Sequence, residues 1–239
     1  LHWLLNDRMS LGKNYPTADG EIMFYAPKQI GEIKGFPLLK PEIHTDRKEE
    51  AVIITAGDRS PYKPVSREKF LMARASFFQR DINKMRAAIQ KASTDMDKMR
   101  ANLARENLLK PEQQAQMIEA SLAGQKQTEA NLTRAIAVDE DEINKIKTYM
   151  AGMSPAEKQT QAIVHDTSAG LANLFVTEAS GERLVTVDKS LFDPELPRQT
   201  IQLVTVYWSW NDKNPPKAEM IRQFKQNFDF ETLRSMIGK

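Results

Sequence analysis

From Leu71 onward the apolar residues recur at alternating steps of four and three: Leu71, Ala75, Phe78, Ile82, Met85, Ile89, Ala92, Met96, Met99 and Leu103. A repeat averaging 3.5 residues keeps a narrow stripe on one side of a helix, which is the seam of a coiled coil. Between the stripe positions lie Arg74, Arg80, Asp81, Lys84, Arg86, Lys91, Asp95, Asp97, Lys98 and Arg100, and neither Gly nor Pro interrupts Arg67 to Leu109. Ser66 offers an N-cap hydroxyl for the free amides of the first turn. The pattern predicts one long helix that ends near Lys110-Pro111, where proline cannot continue a helix but suits the first turn of a new one. Glu112 favours that new N-terminus.

Reflecting the first stripe about the point between residues 110 and 111 pairs positions whose numbers sum to 221. The mirror positions are Ile118, Leu122, Gln125, Glu129, Leu132, Ile136, Asp139, Ile143, Ile146 and Met150, seven of the ten apolar. Facing residues of two antiparallel helices keep a constant index sum, so the spacing predicts a hairpin. Charge agrees, since residues 67–110 carry 11 Lys+Arg against 5 Asp+Glu, and residues 111–151 carry 4 against 7. Exposed pairs contribute only ~0.2–1 kcal/mol each, so charge selects the partner helix without explaining its stability. Gln125, Glu129, Asp139 and the nearby Gly124 mark a loosened, partly wet stretch, or else a flex point or register-setting layer. Each arm of just over 40 residues spans ~60 Å. A compact body of the other ~150 residues is only ~38 Å across. The hairpin is therefore expected to project or to pack on another chain, with Phe70 and Phe77 anchoring its base.

Strands are expected at Glu21–Tyr25 and Ala51–Thr55 from their β-branched and aromatic content, with a turn-rich passage from Gly57 to Pro64. Ser154-Pro155-Ala156-Glu157 fits a capping box opening a helix to about Val164. Leu171–Glu178 and Arg183–Lys189 read as strands around Ser180-Gly181. Thr200–Trp210, apolar on both faces, reads as a central strand. Asn214-Pro215 opens a helix burying Met220, Ile221, Phe224 and Phe228, and a last helix runs from Phe230 to Ile237. The expected class is α+β, a mixed or antiparallel sheet with flanking helices plus the long antiparallel hairpin. Residues 1–65 and 152–239 would form one discontinuous domain, and 66–151 the insertion, turning near 108–112.

The bulk numbers narrow the function classes. Lys+Arg is 34 and Asp+Glu is 32. That balance lacks the dense cationic surface of non-specific nucleic-acid binding. Absence of cysteine removes disulfides, thiolate metal sites and cysteine nucleophiles together. No uncharged apolar run approaches the ~18 residues needed to span a bilayer. A start at Leu1 fits a processed chain, and the expected location is periplasmic or secreted, with the cytoplasm as the alternative.

Few motifs carry chemistry. Ser66-Arg67-Glu68-Lys69 has the Ser-x-x-Lys spacing that sets an amine one turn from a hydroxyl. Ser60-Pro61-Tyr62-Lys63 repeats it nearby, and the Ser-Asp-Asn and Lys-Thr-Gly elements are absent, so the N-cap reading prevails. Glu42, His44 and Asp46 alternate and would share one face of an extended segment, where they could hold a metal; charged neighbours favour a solvated loop. His165-Asp166 has no nucleophile in the adjacent sequence. Trp208 and Trp210 share a strand face that could stack sugars if exposed, although Val204 and Val206 point that face to the core. Leu108 and Leu109, beside the hairpin turn, could form a docking tip. No phosphate-binding loop, dinucleotide fingerprint, His-Glu-x-x-His or Gly-x-Ser-x-Gly occurs. The expected function is a non-catalytic interaction or scaffold protein without cofactor, contacting a protein partner or a second copy through the hairpin. The alternatives are a metal-dependent enzyme using Glu42, His44 and Asp46, and a carbohydrate- or ligand-binding module.

Overall fold

The computed structural model describes residues 2–5, 14–16, 22–41, 47–106, 111–165, 170–197, 199–211 and 213–239. Side chains of residues 2–5, 14–16, 58 and 104–106 are left undescribed. The fold is α+β, with two antiparallel sheets and two long helices. The chain divides into two compact units, Leu1–Arg67 with Gln159–Lys239, and Glu68–Lys158.

The first unit holds both sheets. One has the order β1 (His2–Leu5), β10 (Leu203–Trp210), β6 (Lys48–Thr55), β5 (Phe36–Lys40) and β4 (Lys28–Ile33). The other runs β2 (Asn14–Pro16), β3 (Ile22–Tyr25), β9 (Glu182–Val187) and β7 (Tyr62–Pro64), with β8 (Ile163–Val164) also on β9. β10 lies between β1 and β6 and pairs with β6 over its full length, Leu203 opposite Thr55 and Trp210 opposite Lys48. Side chains alternate across a strand. One face of this sheet therefore gathers Val52, Ile54, Val204, Val206 and Trp208 with Phe36 and Leu38. On that face sit Ile221 of α4 (Pro215–Asn227) and Phe230 of α5 (Phe230–Arg234). Phe224 and Phe228 stack there, their rings 4.6 Å apart, with Phe228 4.8 Å from Phe230 and Trp208 5.4 Å from Phe224. Full burial of each such side chain stabilises by roughly 1.5–3 kcal/mol. The opposite face carries Ala51, Ile53, Tyr207 and Leu39 against Tyr62 of β7. Tyr62 also meets Phe24 of β3 edge-on at 5.5 Å, which places the second sheet over this face.

The helix starts follow from their caps. The Asn214 carboxamide oxygen accepts from the Lys217 amide at 3.2 Å ahead of Pro215, and the Asp229 carboxylate accepts from the Thr232 amide at 3.0 Å. The β4–β5 hairpin turns on Lys34 and Gly35, at φ of 49° and 81°, the left-handed pair that a tight two-residue hairpin requires.

The second unit holds α1 (Arg67–Glu106, 40 residues) and α2 (Pro111–Gly152, 42 residues), packed together. Most of α3 (Pro155–Gln159) follows in this unit. It opens on a reciprocal capping box: Ser154 N donates to the Glu157 carboxylate at 2.8 Å, and Glu157 N to the Ser154 hydroxyl at 3.2 Å. No helix among the described residues is long and apolar enough to cross a membrane.

Several expectations are corrected. The helix from Pro155 ends at Gln159, and Ile163–Val164 is extended, because Ala162 and its neighbours hydrogen-bond to Val65 and Leu184 instead of continuing a helix. Leu171–Glu178 is not a strand. Leu171–Asn173 forms a 3₁₀ turn and only Phe175 bridges Val164. The last helix stops at Arg234, after which Gly238 N donates back to Ile201 O at 2.8 Å. Met220 is 58% exposed because the neighbouring Ile221 takes the sheet-facing position of α4. Phe77 is partly exposed, whereas Phe70 is fully buried.

Candidate functional site

α1 and α2 are the two longest elements among the described residues, and their coverage follows the expected stripe. Between Asn83 and Leu103, the only α1 residues not open to solvent are Met85, Ile89, Ala92, Met96, Met99 and Leu103, which are the expected stripe positions. On α2 every mirror position except Glu129 is at least partly covered, so Gln125 and Asp139 lie on the covered side and Glu129 does not. Ile82 packs with Ile136 and Ile143, flanked by Phe78, Met85 and Ile89. Arg86 Nη2 donates to Glu140 Oε1 at 2.7 Å, tying α1 to α2 by charge. The Asp139 carboxyl lies above the ordinary carboxylate value, first because it is desolvated and further because Asp81 and Glu142 are near. Leu108 and Leu109, the expected docking tip, lie outside the described residues.

The sheet unit contributes a buried polar cluster. Glu49 and Glu50 sit in β6, adjacent and buried, and point to opposite faces of the sheet. Glu50 accepts from Trp208 Nε1 at 2.9 Å and from Lys225 Nζ at 2.8 Å, so an indole and a helix-borne ammonium satisfy it. Glu49 accepts from the Tyr207 hydroxyl at 2.5 Å. The Tyr207 phenol is pushed up to about 12, mainly by burial and then by that carboxylate. These contacts satisfy the buried carboxylates with donors, as a polar network inside a sheet requires. The signal lay in the alternation: Glu50 is two residues from Val52, hence on the face that Trp208 and Phe224 cover. The Tyr62 hydroxyl, with no hydrogen-bond partner among the described residues, is raised by burial and rests in the apolar layer over Ala51.

The remaining sequence candidates separate. Glu42, His44 and Asp46 lie outside the described residues. Among the described residues no three His, Asp or Glu side chains gather as metal ligands. The Ser60 hydroxyl bonds to Tyr62 backbone, and Lys63 pairs with Asp188 at 2.8 Å, so this Ser and Lys serve separate contacts. Ser66 forms a β-bridge to Gln161 immediately before α1. His165 is exposed, and Asp166 is outside the described residues. Trp208 is fully buried with its ring nitrogen bound to Glu50, so it cannot share a stacking platform with Trp210. Trp210 instead lines a groove of about 230 Å³ with Ser209, Lys217, Met220, Ile221 and Phe224.

Comparison with protein-family models, with curated proteins and with solved structures gives no match.

Proposed function

We propose that this chain is a non-catalytic interaction protein, exported from the cytoplasm, in which α1 and α2 form an antiparallel coiled-coil hairpin presented to a partner protein or a second copy. The reading is supported by one observation above the others. Over some twenty residues of α1, the four-three stripe alone is covered and every other side chain is open to solvent. A helix of that length, about 60 Å at 1.5 Å per residue, is an investment in reach rather than in enclosing a core. The charge difference adds selectivity, because a basic α1 and an acidic α2 favour a partner whose charges alternate in the complementary sense.

Deleting residues 75–146 across a short linker tests the reading. The sheet unit is expected to keep its near-ultraviolet circular dichroism, while association measured by sedimentation and cross-linking is lost. Association that survives the deletion would remove the proposal.

A second reading, a small-ligand-binding module, draws on the groove beside Trp210. Its volume lies below the ~300–1,000 Å³ of sites for drug-sized ligands, and the burial of Trp208 leaves a single tryptophan for stacking. Tryptophan emission unmoved by glycans would count against it. A metal-dependent enzyme, built on Glu42, His44 and Asp46, predicts bound metal in the purified protein and a rise in Tm with Zn²⁺ or Mn²⁺.

A further inference from the structure

Ile136, Asp139 and Ile143 stand at i, i+3 and i+7, on one face of α2. Ile136 and Ile143 both pack with Ile82 of α1, so Asp139 faces the same turn of α1 between two buried isoleucines. It is partly covered and has neither a hydrogen bond nor an ion pair among the described residues. The cations around it are committed elsewhere: Lys84 to Asp81, Arg86 to Glu140, and Lys145 to Asp141 and Glu142. From α1 the charged groups on the facing turns are Arg80, Asp81, Lys84 and Arg86. Along α2 itself Glu140, Asp141, Glu142 and Lys145 follow directly. A seam position occupied by an unpaired carboxylate beside Asp81 is a local conflict between burial and charge.

We propose that Asp139 is an acid-operated latch: proton uptake at its carboxyl closes α1 and α2 on each other, and its ionised form holds them loosely. This rests on reading α1 and α2 as a partner-contacting hairpin, whose stiffness the latch would set. The sign follows from the direction of the conflict. A neutral carboxyl can sit between Ile136 and Ile143 without repulsion from Asp81 or Glu142. The closed packing therefore binds the proton more tightly than the open one, and packing strengthens as pH falls through the carboxyl's folded value. The upward displacement of the Asp139 carboxyl described above has the same sign.

The chain has no cysteine, so two introduced cysteines are unique labelling sites. Ala88 and Ala137 are exposed on α1 and α2. Spin labels on the pair Ala88→Cys and Ala137→Cys in the full chain report the separation. Between about pH 7.5 and about pH 4 the distance distribution should narrow and shift shorter, following one carboxyl titration. In the same labelled chain carrying Asp139→Asn the distribution should be narrow at both pH values. Asp81→Asn should move the transition to lower pH by relieving repulsion. A short distance that does not change with pH overturns the latch and leaves the hairpin standing. A pH response that persists in Asp139→Asn also overturns it. Helices far apart at every pH overturn the hairpin reading and the latch together.

Discussion

In the sheet unit Val52, Val204, Val206 and Trp208 are sealed from solvent on a face shared by five strands and two helices. In the helical unit, burial on α1 between Asn83 and Leu103 is only partial at every stripe position. The same residue classes occupy both regions, and the difference is one of dimension. A sheet covered on two faces encloses a side chain from all directions. Two paired helices cover their seam from one side only and leave the flanks wet. Stability should therefore concentrate in the sheet unit, and the helical unit should be the region of low local opening free energy.

Truncations of similar size break or sharpen that comparison. Ile54→Ala, in the sealed face, should lower unfolding free energy by about 2–5 kcal/mol through the lost transfer energy and the cavity left behind. Glu50→Ala should cost about 2–3 kcal/mol by stranding the Trp208 ring nitrogen and the Lys225 ammonium, the latter partly exposed and so partly rescued by water. Leu103→Ala, on the half-covered seam, should cost about 1 kcal/mol or less. Denaturant unfolding of the three variants checks the order, and a Leu103→Ala effect as large as that of Ile54→Ala would erase the distinction between the units. The smallest effect concerns pH. The Asp188 carboxyl is lowered to about 2, first by Lys63, with the Ser190 amide also donating to it. Its stabilising share is present above the unfolded carboxylate value and is lost as pH falls from about 4 towards the folded value. Asp188→Asn should remove that share, lowering Tm slightly at neutral pH and converging on the parent chain in acid, so the acid limb is flatter; the change is small because the pair is near the surface.

What could be read from sequence divides along the same line. The helix starts at Arg67 and Pro111 follow from local periodicity, an unbroken run and one proline, all information carried within a few turns, while residues 107–110, at the expected turn, lie outside the described residues. The Ser154–Glu157 box and the Asn214 cap are equally local. The misreadings arise where distant segments decide. Ile163–Val164 is extended because β9 offers a pairing edge, which outweighs its place after a helix. Leu171–Glu178 has strand-like composition but only a single bridge partner. The β4–β5 hairpin went unread although Lys34-Gly35 lies between Ile33 and Phe36, because Lys at a left-handed turn position is a weak signal. Glu49 and Glu50 carry no local sign of burial, since a pair of charges adjoining Arg47 and Lys48 resembles a charged loop leading into the Ala51 strand. Their burial depends on Tyr207, Trp208 and Lys225, all more than 150 residues away.

The register of α1 on α2 is the most direct test of the account. Cysteine pairs that preserve the index sum on the covered side, Met85 with Ile136, Ile89 with Leu132 and Met99 with Leu122, should oxidise to intramolecular disulfides in dilute protein, since bridging requires Cα atoms within about 7 Å. Pairs displaced by seven residues, such as Ala92 with Ile136, sit about 10 Å out of step and should remain reduced. Displaced pairs that cross-link as fast as matched ones, or matched pairs that fail along the whole ladder, would contradict it.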